Sequence, residues 1–375
     1  MGGKTIGVAM VILLAVTSAA WTAGKAELNG SWVGTTTPCF TCHGSGSSGE
    51  NLLGARQEYD LSGHKTRGNS IYANGEGCQV CHTNEGFIQA CEGQQIAQSS
   101  FVQDPSQPGC FTCHDPHERG DMSLRTVAPV KLVSGAVFDS GHGNLCATCH
   151  HATASARDLV VPTPANTITS DWGPHHGPQA DIVEGTNLYE FPGKKYGSSA
   201  HKDVIPDGCV GCHMALPSGR YRLTAQMGGH SFIVVGQVDG AVAVNTAGCI
   251  SCHKDLQQVP GSDTFNIIAQ EDYDHNGVKE PVQVEVAGLM NMLVNAQGTG
   301  LLQKLDPPFY KADGSFNEVT VTTKRPVLEM AALYNYRMIS DDRSRGIHNP
   351  KYVIQILYDT IHALNPQFDV SRRPQ

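Results

Sequence analysis

The sequence is poor in charged residues, and its first two thirds lack long runs of hydrophobic residues at regular spacing. Only 16% of the 375 residues are charged, whereas Gly and Pro contribute 41 and 20 residues. This composition is typical of a loop-rich chain without long charged helices. Because 40% of the residues are nevertheless hydrophobic, the chain can fold, but something other than an ordinary side-chain core must organise this region.

The chain also lacks an excess of positive charge. Its formal net charge is −9 at pH 7. Proteins that bind nucleic acid are usually basic, so nucleic acid is not an expected partner. A mildly acidic surface suits a soluble protein.

The apolar segment near the N-terminus is short. Residues 6–20 form an uninterrupted run of apolar and small residues, and Lys4 precedes it. This order is typical of a secretory signal, and the run is too short to span a bilayer comfortably. We expect cleavage after residue 20 or as late as residue 26; an uncleaved membrane anchor is the alternative. No cysteine precedes Cys39, which disfavours a lipoprotein anchor. The mature chain is therefore expected to be exported and not to span a membrane.

Twelve of the 13 cysteines lie in six C-x-x-C-H motifs. In chain order, motifs 1 to 6 are Cys39, Cys42 and His43; Cys78, Cys81 and His82; Cys110, Cys113 and His114; Cys146, Cys149 and His150; Cys209, Cys212 and His213; Cys249, Cys252 and His253. In c-type haem attachment, two thioether bonds hold the porphyrin and the following histidine binds the iron as proximal ligand. Zinc half-sites, redox dithiols and disulfide frameworks also use paired cysteines, but none requires a histidine after every second one. The sequence therefore predicts six haem c groups.

Cys91 is the cysteine outside the motifs. It is interpreted as a reactive thiol, as a partner in an intermolecular disulfide, or as a thiol without a role.

Eleven of the 17 histidines lie outside the motifs, enough to give each iron a second imidazole. A haem with two histidine ligands changes oxidation state with little rearrangement and binds no substrate. The candidate distal ligands are His64, His117, His142, His176, His201, His230 and His348. His348 directly precedes Asn349 and Pro350, which predict the N-cap and first residue of a helix. His275 and His362 are interpreted as surface or packing residues.

The motifs divide the sequence into two sections. Residues 27–260 carry all six motifs, and we expect short helices around them, few strands, and one hairpin formed by 232–235 and 241–244. Residues 261–375 contain no motif, and apolar residues recur there at helical spacing from Val286, from Pro326 and from Pro350. The predicted fold class is mainly α: a loop-rich multihaem cytochrome c with a haem-organised core and a C-terminal helical section.

The C-terminal section begins with a candidate calcium loop. Asp272, Asp274 and Asn276 place oxygen ligands at alternate positions, and a glycine follows. Position twelve of the loop is Gln283, with Glu285 two residues further on. Calcium binding and an ordinary Asp/Asn turn are the two alternatives.

Several short stretches occur in a recognisable order from about residue 142 onward. They are His176-Gly-Pro-Gln179, Ser199-Ala-His201 before motif 5, Gly229-His230 before motif 6, and Gly346-Ile-His348-Asn-Pro350. This order resembles the pentahaem cytochrome c nitrite reductases and the related group of hydroxylamine oxidoreductase and octahaem tetrathionate reductase. The resemblance covers about the last two thirds of the chain.

The resemblance implies four pairs of iron ligands and a position for the active-site haem. The pairs are His150 with His230, His213 with His348, His253 with His201, and His114 with His64. Motif 1 would be an addition to a five-haem core, and the haem of His82 would stand where those reductases have their active-site haem.

The sequence departs from these reductases at their catalytic residues. His82 replaces the usual lysine ligand, Thr153 falls in a stretch that lacks the tyrosine expected after motif 4, and Ala180 replaces a histidine. These losses favour an electron carrier over an enzyme. The alternatives are a reductase of small nitrogen or sulfur oxyanions at the haem of His82, and a subunit that self-associates into an extracellular haem filament. We expect the protein in the periplasm or at the cell surface, with redox proteins or an external electron acceptor as partners.

Overall fold

The computed structural model describes residues 52–66, 74–75, 77–94, 101–115, 123–161, 167–320 and 325–375. These residues belong to two compact units, the N-terminal unit up to Ser123 and the C-terminal unit from Leu124 onward. Motifs 2 and 3 belong to the first unit and motifs 4 to 6 to the second. The sections 27–260 and 261–375 were defined by their motif content, and that division stays a prediction. Motif 1, His117 and the signal segment lie outside the described residues.

The fold is mainly helical and loop-rich, as predicted. The helices are α1 Leu53–Asp60, α2 Gly63–Thr66, α3 Gln79–His82, α4 Asn84–Cys91, α5 Cys110–Cys113, α6 Gly143–Ala147, α7 Ala156–Leu159, α8 Gln179–Glu184, α9 His201–Val204, α10 Cys209–His213, α11 Val282–Leu293, α12 Val327–Asp342 and α13 Pro350–Leu364. Short 3-10 helices cover Gly219–Tyr221, Gly229–Ser231 and Leu301–Gln303. The strands are β1 Val130–Lys131, β2 Val137–Phe138, β3 Thr167–Ile168, β4 Val235–Val238, β5 Ala241–Val244 and β6 Val319–Thr320. Among motifs 2 to 6, which the structure describes, motif 6 departs from the expected helices because its residues form turns.

The main hydrophobic core of the C-terminal unit is built by α11, α12 and α13, the three helices that the periodicity predicted. α13 packs against both α11 and α12. Leu289, Leu333 and Leu357, one from each helix, are fully buried. Burying a side chain of this size contributes about 1.5–3 kcal/mol, so these helices form a stable support for the loops that carry the motifs.

The start of α13 follows the predicted capping pattern. The Asn349 side chain accepts a hydrogen bond of 3.4 Å from the backbone N–H of Tyr352, and Pro350 occupies the first turn. Asn349 is fully buried, and its amide also reaches the carbonyl of Ile182 and the backbone N–H of Ser199. This one residue therefore ties α13 to the segment before α9.

The strands form three two-stranded antiparallel sheets. In the hairpin β4–β5, Val235 pairs with Val244, and the turn residues Asp239 and Gly240 have φ values of 52° and 78°. Positive φ at both central residues is typical of the type I′ turn that joins twisted strands. The hairpin was predicted, but its first strand begins at residue 235 instead of 232. The reason is that Phe232 adopts a left-handed conformation, with φ of 58°, which interrupts the strand.

Among the helices that the structure describes, none combines the length and apolar character needed to cross a membrane.

Candidate functional site

The C-terminal unit brings a motif histidine and a remote histidine close together at the end of α10. His213 is the last residue of α10, and His348 lies in the turn before α13. Their ring centres are 6.2 Å apart and their planes are inclined by 45°. The structure thus brings together two of the residues that the family resemblance paired.

A second pair has the same spacing. His201 is the first residue of α9, and its ring centre lies 6.2 Å from that of His253 in motif 6, with the planes at 82°. Two imidazoles that bind one metal ion from opposite sides, each through a bond of about 2 Å, have ring centres roughly 6 Å apart. Both pairs therefore have the spacing required to hold a haem iron between them.

Hydrogen bonds fix which ring nitrogen of His213, His201 and His348 is available to a metal. His213 Nδ1 lies 2.9 Å from the carbonyl oxygen of Phe232, and His201 Nδ1 lies 2.9 Å from that of Ile347. His348 Nδ1 lies 2.6 Å from Oδ1 of Asp342, a fully buried carboxylate. With the proton on Nδ1, the lone pair is on Nε2, as a metal-binding imidazole requires. The residues present therefore fit haem ligation in the chemistry of their donors as well as in their spacing.

The surroundings of these histidines set their protonation. Burial lowers the pKa of His213 and of His201, which keeps both rings neutral and able to bind a metal. Burial acts in the same direction on His348, but the charge of Asp342 and its hydrogen bond outweigh it and raise the pKa of His348. His348 therefore differs electrostatically from His213 and His201.

His150 of motif 4 is oriented by a glutamine. Its Nδ1 lies 3.2 Å from Oε1 of Gln179, the first residue of α8. The amide nitrogen of Gln179 donates to the backbone carbonyls of Asp341 and Asp342 at 3.2 and 3.3 Å. The stretch His176-Gly-Pro-Gln179 was selected for its histidine, but the residue that contacts the motif is Gln179. The pairing of His150 with His230, which lies in the 3-10 helix at 229–231, stays a prediction.

Motif 5 lies directly beside motifs 4 and 6. The Cys209 thiol hydrogen-bonds Cys146, which raises the pKa of Cys209. A hydrogen bond from Cys249 lowers the pKa of the Cys212 thiol to about 7. Each cysteine pair joins two different motifs, so the cysteines of three motifs are contiguous.

Two glycines permit this close approach. A Cβ atom at Gly143 would lie 3.0 Å from the backbone of Asp207 and Cys209, and one at Gly248 would lie 2.5 Å from the carbonyl oxygen of Gly211. The 2.5 Å distance at Gly248 is not compatible with a side chain, whereas a Cβ at Gly143 would require the neighbouring backbone to shift by a few tenths of an ångström, so glycine favours the close approach of neighbouring motifs at both positions.

In the N-terminal unit, motifs 2 and 3 are joined through Asn84, two residues after His82. The backbone N–H of Asn84 donates to the carbonyl of Ser106 at 2.9 Å, and its side-chain oxygen accepts from the Thr112 hydroxyl of motif 3 at 2.7 Å. Tyr59 of α1 donates to the carbonyl of Pro108, just before motif 3. His64 lies in α2, and its pairing with His114 stays a prediction.

Two further candidate distal ligands, His142 and His176, face carboxylates. His142 Nδ1 lies 3.0 Å from Asp207 Oδ1, and His176 Nδ1 lies 3.4 Å from Asp341 Oδ1. Both histidine side chains are more than half exposed. Among the residues that the structure describes, no ring contact joins either side chain to a motif histidine.

The candidate calcium loop gathers two of its predicted ligands and one further residue. Carboxylate oxygens of Asp272, Asp274 and Glu285 lie within 4.8 Å of one another. Glu285 is fully buried and accepts backbone hydrogen bonds from Tyr273 and Asp274. The oxygen of Asn276 accepts from Val278, and Asp272 also pairs with Arg372 at 2.6 Å.

Four contacts that orient histidines at motifs 4 to 6 were not found by sequence reasoning: Asp342, Gln179 and the carbonyls of Ile347 and Phe232. The Asp-Asp and the Gly-Ile-His stretches near His348 are visible in the sequence, but only the fold shows which atoms they present to the rings.

In comparisons with known proteins, no protein-family model matches the chain, and neither does any curated protein. Among solved structures, the chain is similar to the crystal structure of the outer cell wall cytochrome OcwA, with 20% sequence identity and a TM-score of 0.46. The match covers 82% of this chain and 50% of that one, so the chain spans about half the length of the matched structure.

Proposed function

We propose that this chain is an exported hexahaem c-type cytochrome that transfers electrons and does not itself catalyse a substrate reaction. The observation that carries the proposal is the 6.2 Å spacing of His213 and His348, and of His201 and His253, each pair joining a motif histidine to one outside the motifs. Six intact C-x-x-C-H motifs lie between residues 39 and 253, and haem binding is proposed for each of them. When bound, haem supplies an iron that gains and loses single electrons.

The protein's own residues account for the rest of the function. The hydrogen bonds at Nδ1 hold each ring in one orientation, so an iron bound between two such rings keeps both ligands when its charge changes. A site filled in this way has no position for a substrate, which favours electron transfer. The contiguity of motifs 4, 5 and 6 supports passage of electrons over short distances between neighbouring sites.

The location and partners of the protein follow from the same chemistry. Haem is attached to C-x-x-C-H motifs after export, in agreement with the signal-like segment at residues 6–20. The periplasm or the cell surface is therefore the proposed location, and redox proteins or an external acceptor are the proposed partners. A calcium ion at Asp272, Asp274 and Glu285 is proposed as a structural addition.

Intact-mass measurement of the mature protein tests the haem count, and its ferric absorption and EPR spectra test the ligation. Six covalent haems and low-spin signals are expected. Fewer than six haems would contradict the hexahaem assignment. A high-spin ferric site that binds nitrite or hydroxylamine would instead support the reductase alternative.

A further inference from the structure

Asp342 is a buried carboxylate at an unfavourable position in the fold. It is the last residue of α12, where the backbone carbonyls already carry partial negative charge. Its side chain is fully buried, and burial of a charge is costly unless specific partners offset the cost. Arg345, three residues further on, pairs with Asp263 at 3.0 Å.

The partners of Asp342 point to a function for this charge. Oδ1 lies 2.6 Å from Nδ1 of His348, and Oδ2 accepts from the Ser344 hydroxyl and, at 3.3 Å, from the Ser344 backbone N–H. The Ser344 contacts hold the carboxylate in one orientation. The whole arrangement therefore presents one fixed negative charge to one imidazole.

Three other oriented histidines at motifs 4 to 6 have neutral acceptors, whereas His142 and His176, which face carboxylates, are more than half exposed. His213 and His201 donate to backbone carbonyls at 2.9 Å, and His150 faces the Gln179 amide oxygen at 3.2 Å. A carboxylate that accepts from Nδ1 makes the imidazole a stronger electron donor at Nε2 and stabilises the higher positive charge of a bound metal. Hydrogen bonding to an axial ligand is one of the means by which a protein sets the potential of haem iron.

We propose that Asp342 is a positioning and charge-setting residue that gives the haem site of motif 5 a lower midpoint potential than the sites of motifs 4 and 6. The inference rests on the proposed function, and it adds an order of potentials. Because its midpoint potential is lower, the site of motif 5 would be reduced after the sites of motifs 4 and 6, and motif 5 lies between these two. Electrons would therefore reside on either side of motif 5, and passage across it would be an uphill step.

The experiment is a spectroelectrochemical titration of the six-haem protein, comparing wild type with Asp342→Asn. Asn keeps the shape and an acceptor oxygen but removes the charge. One haem is expected to shift to a higher potential while all six stay low-spin, and the EPR signal of one low-spin haem is expected to move. The matched control, Asp263→Asn, removes a surface carboxylate and is expected to leave the titration unchanged.

A second variant acts in the opposite direction and does not remove the carboxylate. Ser344→Ala removes the hydroxyl that donates a hydrogen bond to Oδ2 of Asp342. The carboxylate is then a stronger acceptor for His348 Nδ1, so the midpoint potential of the same haem should shift to a lower value. Six low-spin haems with wild-type potentials in both variants would overturn the inference. Appearance of a high-spin haem in Asp342→Asn, with no shift in Ser344→Ala, would overturn it too, because Asp342 would then only hold His348 in place. A wild-type protein without attached haem or without low-spin iron would instead contradict the proposed function.

Discussion

His201 donates from Nδ1 to the carbonyl oxygen of Ile347 at 2.9 Å, and the next residue along the chain is His348. The two histidines belong to different pairs, one facing motif 6 and the other facing motif 5. A single short segment therefore orients the remote imidazole of both pairs. Changes in this segment are expected to affect both sites together, whereas changes at either histidine should affect one.

Replacement of His348 by alanine should convert one haem from low-spin to high-spin and leave the other five unchanged, because only the iron facing His213 would lose a ligand. The ferric absorption and EPR spectra provide the measurement. The melting temperature should also fall, since the iron–imidazole bond would tie the start of α13 to motif 5. His362→Ala is the control, because His362 lies on α13 and its Nδ1 faces the carbonyl of Phe368 at 3.3 Å. Spectra of His348→Ala identical to those of wild type would reject the ligand assignment.

Replacement of His201 by alanine should produce a second, separate high-spin haem at motif 6. The pairs use different imidazoles, so the double variant His201→Ala/His348→Ala should contain two high-spin haems, each with a signal like that of its single variant. Quantitative EPR measures this number. A single high-spin haem in the double variant would mean that both histidines serve the same iron.

Part of this arrangement could be predicted from the sequence. The motifs identify the attachment points, the periodicity identifies α11 to α13, and the family resemblance pairs His348 with His213. The contacts of Asp342 and Gln179 could not be predicted, because their partners are brought near only by tertiary packing. The first strand of the hairpin was misplaced since its pattern of branched residues did not reveal the left-handed turn at Phe232.

Replacement of Asn349 by alanine should destabilise the protein by about 2–4 kcal/mol. The loss includes the N-cap of α13, about 1 kcal/mol, and buried hydrogen bonds to Ile182 and Ser199 whose partners would be left unsatisfied at about 1–3 kcal/mol. Denaturant unfolding followed by circular dichroism measures the change. Asn349→Asp keeps the acceptor for the cap but places a buried carboxylate oxygen against the carbonyl of Ile182, so it should be at least as destabilising as alanine. Equal stability of all three proteins would show that the amide does not link these segments.

Replacement of Gly248 by alanine should disturb the junction of motifs 5 and 6, because the new Cβ would lie 2.5 Å from the carbonyl oxygen of Gly211. We expect a loss of about 1–3 kcal/mol in the free energy of unfolding, as for other overpacked sites, and slower reduction of the haem at motif 6 in stopped-flow experiments. Gly54→Ala is the control, since a Cβ there meets nothing within 4 Å and the residue lies inside α1. Unchanged stability and kinetics in Gly248→Ala would contradict the close approach of the two motifs.

Calcium removal should lower the melting temperature if the cluster of Asp272, Asp274 and Glu285 holds the ion. Calorimetry before and after chelation measures the shift, and Asp274→Ala should abolish the sensitivity to chelator. Arg372→Ala is a useful companion, because Asp272 already pairs with this guanidinium. If chelation has no effect on wild type, the loop is an Asp/Asn turn held by Glu285 and Arg372.

The position of Ile347 and His348 late in the chain has a consequence for maturation. All six motifs precede these residues, so in the proposed exported cytochrome the remote ligands of motifs 5 and 6 would be oriented only after the C-terminal segment has been exported and folded. In the proposed cytochrome, products truncated before this segment would lack His348, which leaves an open coordination position on the iron of motif 5, and would lack the carbonyl that orients His201, so the ligand of motif 6 would be loosely held. An iron with an open position reacts with hydrogen peroxide, so truncated chains would show peroxidase activity that the complete protein lacks.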